Sequence, residues 1–239
     1  MHILTILVAI LAILLPKPLS KGSEMIVKHK AYTLSYNKSR NTPNWVAWTL
    51  TANHTDGPVP RASKFLADPM IPRAYRVEYY DYKESGYDRG HMCPAADNKW
   101  NAQAMKECFY MSNMCPQDPA LNSGSWASLE KACRQWAKTE GKIYIVCGPV
   151  YKNRKHERIG VSHVVEVPDG FFKAVLSLRK GHEKAIAFYY ANNSKKQPYR
   201  HACTAVDNIE ALTGLDLFAD LDDKLEARLE RRCNINDWK

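Results

Sequence analysis

The chain has 239 residues, with 34 Lys and Arg against 25 Asp and Glu and a formal charge of +9. That length supports a sizeable buried core, and the lack of any Gly/Ser-rich, repetitive or low-complexity stretch excludes a linker-joined array and favours one domain. The basic residues are spread along the chain and not gathered in a tail, which fits either a polyanionic partner or a plain solubilising surface.

At the N-terminus, Ile3 to Leu15 form a nearly unbroken apolar run closed by Pro16, Lys17 and Pro18. A membrane-spanning helix needs about 20 apolar residues, so the run fits a secretory leader better. The expectation is a leader over residues 1–22, a domain over 23–239, and a secreted or periplasmic location. No Lys or Arg precedes the run, and Pro18 and Ser20 match a small-x-small cleavage site poorly. The alternative is therefore an uncleaved anchor holding the protein on the outer side of a membrane, with no other membrane partner.

Beyond the leader, Tyr32 to Tyr36 alternates as a half-buried strand does, and Trp45 to Leu50 reads as a second strand past the turn signals Asn41 and Pro43. Thr55 to Tyr75 is a long loop rich in Pro, Asp and Gly, the kind of segment that carries functional side chains. Cys108 to Met114 reads as a strand, and Ser125 to Thr139 as a helix stopped near Gly141. Further strands are expected at Ile143–Val150, Val161–Val167, Phe171–Leu178 and Ala185–Tyr190. Helices follow at Val206–Thr213 and Leu217–Arg231.

Seven cysteines, at 93, 108, 115, 133, 147, 203 and 233, suit an oxidising compartment, the odd count leaving at least one thiol unpaired or intermolecular. Cys203 with Cys233, bracketing the C-terminal helical segment, is the expected bridge. No C-x-x-C pair occurs, which argues against a structural zinc site.

The densest chemistry lies at Asp88-Arg89-Gly90-His91-Met92, just after a tyrosine-rich segment. A lone His is more often structural than catalytic. Downstream, Asn122, Trp126, Glu130 and Arg134 recur every four residues and drift slowly around one face of a helix or its cap. Taken singly, Glu130 and Arg134 would be an ordinary surface ion pair worth a few tenths of a kcal/mol, and Asn122 a cap. Taken together, the residues meet the needs of phosphodiester cleavage. His supplies a base with an ordinary pKa of about 6.5, an amide oxygen suits a hard divalent ion, and arginines bear transition-state charge.

Three stretches then carry a specific resemblance: Tyr87 to Ala95 (Y-D-R-G-H-M-x-P-A), Met111 to Gln117 (M-S-N-M-x-P-Q) and Leu121 to Glu130 (L-N-x-G-x-W-x-x-L-E). They resemble the DNA/RNA non-specific endonuclease family, of the ββα-metal or His-Me finger superfamily. Trp45 to Trp48, Arg61-x-x-x-Phe65-x-x-Asp68, Cys147-Gly148-Pro149 and the Val206 to Gly214 motif look like the same family, extending the likeness over about residues 30 to 230.

The resemblance implies an α+β, ββα-metal fold with a central, mostly antiparallel sheet flanked by helices. It implies a sugar-non-specific endonuclease that cuts DNA and RNA, gripped mainly through phosphates, to 5′-phosphate products. Mg²⁺ would be the cofactor, with Mn²⁺ as a substitute. His91 would be the general base, Asn122 the direct metal ligand and Glu130 the holder of metal-bound water. Arg61 and Arg134 would stabilise transition-state charge, with Arg89 positioning the site or the phosphate; Lys64 and Arg73 are the alternatives to Arg61. Asp88 reads as structural. Two other readings remain open, an inactive nucleic-acid-binding surface protein and a toxin phosphodiesterase of narrower specificity.

Overall fold

Seven antiparallel strands form the frame in a computed structural model that describes residues 15–20, 22–152 and 155–238. The strands are β1 (Met25–Lys28), β2 (Tyr32–Asn37), β3 (Thr42–Thr51), β6 (Lys142–Val150), β9 (Gly170–Ser177), β10 (Lys184–Ala191) and β11 (Cys203–Thr204), neighbours in that order. Between β3 and β6 the chain leaves the sheet and builds a separate ribbon from β4 (Asp88–His91) and β5 (Met114–Gln117). The long helix Ala127–Glu140 then leads back into β6. A second ribbon, β7 (Arg158–Ile159) with β8 (Val165–Glu166), stands apart. The α+β class and the ββα element expected from the sequence are both present.

Each central strand is buried on both faces, so its side chains sort by the two-residue period of a strand. Val46, Trp48, Ile145, Cys147, Phe171 and Val175 point to one side, where they pack with Met92, Trp126, Leu129 and Trp136. Trp45, Ala47, Tyr144, Val146, Phe172 and Ala174 point to the other, where they meet Val206, Ile209 and Leu229 of the helices Val206–Thr213 and Asp223–Glu230. The ββα element therefore rides on one face of the sheet and the two C-terminal helices on the opposite one.

Several expectations change. The apolar run Cys108 to Met114 is not a strand; it follows the helix Ala102–Glu107 as turns, with a 3₁₀ turn at Met111–Asn113, and only Met114 enters β5. Its buried backbone is satisfied by other means. Leu66 bridges Tyr110, and the Asn113 amide donates to the carbonyls of Cys93 (2.9 Å) and Cys108 (2.8 Å) while accepting from the Cys93 N–H. The Val161–Val167 strand shrinks to β8, and the last helix is shorter than expected because Leu217 to Leu221 pack as irregular chain.

The cysteines are all free thiols, five of them buried. Cys203 and Cys233 do lie side by side, their thiols within hydrogen-bonding reach, but unbonded. The apolar leader lies outside the described residues except for Leu15. Among the described residues, no helix is long and apolar enough to cross a membrane.

Gly90 shows how tightly the ribbon is built: a Cβ there would overlap Gln117 Oε1 and sit 2.7 Å from Gln117 Cβ, and Gln117 is fully buried. Gly90→Ala should therefore destabilise the fold by about 1–3 kcal/mol, the usual result of overpacking. Gly124→Ala, where nothing lies within 4 Å of the added carbon, should change it by less than about 1 kcal/mol. Urea denaturation of the two variants checks the contrast.

Candidate active site

The ββα element opens as a cleft of about 360 Å³ lined by Arg61, Phe65, Asp88, Arg89, His91, Asn122 and Glu130, with Pro94, Ala95 and Ala127. A roomier hollow of about 460 Å³ lies beside Val59 and Lys64. Only the former gathers a His, carboxylates, an amide and arginines.

His91 ends β4 opposite Met114. Its backbone is held by Trp126, whose indole N–H donates to the His91 carbonyl at 3.3 Å. Its ring is wedged between Phe109, edge-on at 4.8 Å, and Phe65 at 5.6 Å. Nε2 is buried without a hydrogen-bond partner, which in a native interior asks for an explanation. Burial, aided by the nearby charge of Arg61, lowers the His91 pKa to about 3. The imidazole is thus neutral at physiological pH, with a free nitrogen lone pair.

Asn122 comes from a π-helical turn, Leu121–Trp126, that runs into the helix Ala127–Glu140. It is therefore not a simple helix cap. Wide turns of this kind recur at functional sites because they displace a side chain from the regular helical stripe. Its Nδ2 donates to Asp88 Oδ2 at 2.8 Å. Because a carboxylate can only accept there, the amide's orientation is fixed by chemistry, and its carbonyl oxygen is left out of that bond. Glu130 follows two turns on, its pKa pushed up to about 7 by burial against the opposing pull of Lys173.

Arg61 reaches the cleft from the long loop and lies over Phe109, 5.1 Å from the ring centre. The loop is pinned at Asp68, which accepts from Ser112 (2.5 Å) and bonds His29 (2.9 Å), while Phe65 packs on His91. Lys64 instead lines the neighbouring hollow, and Arg73 sits in a 3₁₀ turn whose carbonyl bonds His163. Arg89 donates through Nε and Nη2 to the Tyr79 carbonyl and lies 5.2 Å over Phe65. Arg134 is not among the lining residues; its Nη1 pairs with Asp97 at 3.1 Å, so the simple Glu130–Arg134 ion pair is not what forms.

Two residues escaped the sequence reading. Asp97, held by Arg134 and by the Trp48 indole at 3.1 Å, sits beneath the site. Lys173 is only 1% exposed, between the rings of Trp126 (4.4 Å) and Trp48 (4.9 Å). Burial opposes its charge, but Cys147, Glu130, Cys133 and Asp97 around it raise its pKa overall. The only sequence signal was a Lys in the middle of the apolar run Phe171–Leu178.

Asn122 offers an amide oxygen to the cleft and Asp88 and Glu130 offer carboxylates, oxygen donors that fit a hard divalent cation, beside the single nitrogen lone pair of His91. Asp207, Glu210 and Glu230, which also bring carboxylates together, lie on the opposite face of the sheet.

Comparison with known proteins agrees with the fold. The sequence model of the DNA/RNA non-specific endonuclease family matches residues 14–224. The mitochondrial nuclease EXOG of Xenopus laevis is 34% identical over 223 residues, 86% of this chain and 61% of that protein. The mitochondrial Nuclease 1 of Schizosaccharomyces pombe is 34% identical over 214 residues, 82% and 66% respectively. The chain thus spans under two thirds of the length of either relative. Among solved structures, EndoG in its complex with the inhibitor EndoGI superposes with a TM-score of 0.80 at 30% identity, covering 85% of this chain and 89% of that one. The mitochondrial relatives overturn the expectation of a secreted, periplasmic or outward-anchored protein.

Removing Asp97 would strand Arg134, whose side chain is 21% exposed, and leave the Trp48 N–H without its acceptor. Asp97→Ala should cost about 3 kcal/mol, the lower end for breaking a buried pair because Arg134 keeps some solvent contact. Denaturant midpoints of wild type and variant measure it, and a change below about 1 kcal/mol would mean the pair contributes little.

Proposed function

The chain belongs to the DNA/RNA non-specific endonuclease family, and from that premise we propose that it hydrolyses DNA and RNA phosphodiester bonds, with Mg²⁺ or Mn²⁺ as cofactor and 5′-phosphate products. The observation that carries the reading is that His91, with its unpartnered Nε2, and Asn122, with its amide nitrogen turned away to Asp88, line the same cleft.

In the proposed reaction His91 Nε2 takes the proton of the attacking water as the water oxygen bonds to phosphorus and the P–O3′ bond breaks, the departing 3′ oxygen taking a proton from solvent. A base must be unprotonated to act, and burial with Arg61 keeps this imidazole so. The Asn122 carbonyl would hold the divalent cation, and Glu130 would orient its water. When bound, that ion supplies Lewis-acid stabilisation of charge on the phosphate and the leaving oxygen. Arg61 lies in the cleft wall with its guanidinium positioned to meet negative charge gathering on the phosphate. Arg89 spends two N–H groups on Tyr79, which holds its remaining donors toward the cleft.

Arg134 is proposed to act at one remove, as a charge near Glu130 anchored by Asp97. Asp88 orients the metal ligand by accepting from its amide, which gives the structural reading of that residue a specific content. Contacts mainly to phosphates would explain low sequence specificity, since phosphate contacts position a nucleic acid without reading it.

A plasmid-nicking assay tests the reading. EDTA should abolish cleavage and Mg²⁺ restore it. His91→Ala should lose at least about 10²-fold in rate, the usual worth of a general base, with nucleic-acid binding retained; full activity would remove His91 from the mechanism. Asn122→Ala should lose rate and metal response together. Glu130→Ala should be milder and partly relieved by extra Mg²⁺. Cleavage that persists in EDTA would remove the divalent ion from the mechanism, and a wild type that binds DNA without nicking it would favour the inactive-binder alternative.

A further inference from the structure

On the far face of the sheet, Asp207 and Glu210 in the helix Val206–Thr213 and Glu230 at the end of the helix Asp223–Glu230 each turn a carboxylate oxygen toward a common point, the three atoms lying within 4.8 Å of one another. We propose that this trio is a second, structural divalent-cation site, suited to Ca²⁺, that ties the two C-terminal helices together.

Three observations carry it. The first is geometric: Ca²⁺ holds oxygens at about 2.4 Å, so two ligands on opposite sides of one ion stand about 4.8 Å apart. Three oxygens no farther apart than that fit a single coordination sphere.

The second is Glu230, which is 4% exposed and has a buried Oε1 with no hydrogen-bond partner. A buried carboxylate oxygen left bare is costly, and buried charges are ordinarily paired or bound to metal. Among the described residues no Lys or Arg forms an ion pair with Asp207, Glu210 or Glu230; Lys17, whose charge acts on Glu226, is engaged with Asp216 at 2.7 Å. Glu226 and Asp216 add further negative charge around Glu230. Local repulsion of this kind, in a chain of net charge +9, is what a cation would relieve.

The third is order. Glu210 Oε1 accepts from the Leu217 N–H at 2.6 Å, which fixes its carboxylate in place, and Ile209 and Leu229 bury the neighbouring turns in the core. Two ligands thus come from one rigid helix and the third from another. The ligands are all oxygens, which selects hard ions over zinc. The site lies across the sheet from the cleft.

The test uses the full chain in about 0.15 M NaCl, so that loose surface binding is screened. Calorimetric titration with CaCl₂ should find one Ca²⁺ per chain in Asn122→Ala, where the proposed cleft ligand is gone. That ion should be lost in Glu230→Gln and in Asp207→Asn. Millimolar Ca²⁺ should raise the Tm of wild type and of Asn122→Ala by a few degrees, and EGTA should reverse the rise. Neither effect should occur in Glu230→Gln or Asp207→Asn, while both variants keep Mg²⁺-supported nicking. Asp207 is exposed, so its variant tests the site even if Glu230→Gln folds poorly. Failure of Asn122→Ala to bind Ca²⁺, or equal Ca²⁺ stabilisation of wild type and both carboxylate variants, would overturn the site without touching the proposed nuclease mechanism.

Discussion

One hydrogen bond joins the two halves of the cleft: Asn122 Nδ2 to Asp88 Oδ2, 2.8 Å, across from a π-helical turn to the first strand of the ribbon. Because the acceptor is a carboxylate, the amide has a single sensible orientation, and its oxygen is left out of that bond, free for the cation proposed above. The same bond sets the spacing between Asn122 and His91, three residues beyond Asp88 on a strand whose register with β5 is locked by Gly90 and Gln117. A strand residue that looks electrostatically unwelcome beside a phosphate is therefore the one that orients the Asn122 amide.

Beneath that surface lies a layer of buried charge. Lys173 between two tryptophans, Asp97 with Arg134, and Glu130 at the cleft wall hold one another in place. None of them would be tolerated singly at such depth, and together they set the field under the cleft. His91 is the opposite case, a titratable group kept neutral by burial and by Arg61. The residue proposed as the base is thus kept neutral above a layer of mixed buried charge, the kind of contrast found where pKa values are tuned at working sites.

Much of this was legible in the chain. The alternation in Tyr32–Tyr36 and the apolar runs around β6, β9 and β10 identified the sheet, and the helix after Gly124 was placed within two residues. Five of the six candidate site residues converge on one cleft, Arg134 standing just behind it. What stayed hidden is instructive. Cys108 to Met114 reads as a strand because an apolar run carries no periodicity, yet its backbone is satisfied by the Asn113 amide, a tertiary contact no local pattern records. Lys173 occupies a core-facing strand position that a sequence assigns to solvent. The seven cysteines suggested bridges, but five are simply small buried apolar groups.

The central claim is that the Asn122 carbonyl, oriented by Asp88, is the direct protein ligand of the catalytic divalent ion, with His91 facing it across the cleft. Anomalous diffraction from crystals soaked in MnCl₂ measures this directly. The account predicts a peak at about 2.1–2.2 Å from Asn122 Oδ1, with Asp88 still bonded to the amide nitrogen and not to the metal. A peak coordinated by Asp88, or no peak at Asn122 while the crystals cleave nucleic acid in Mn²⁺, would contradict it.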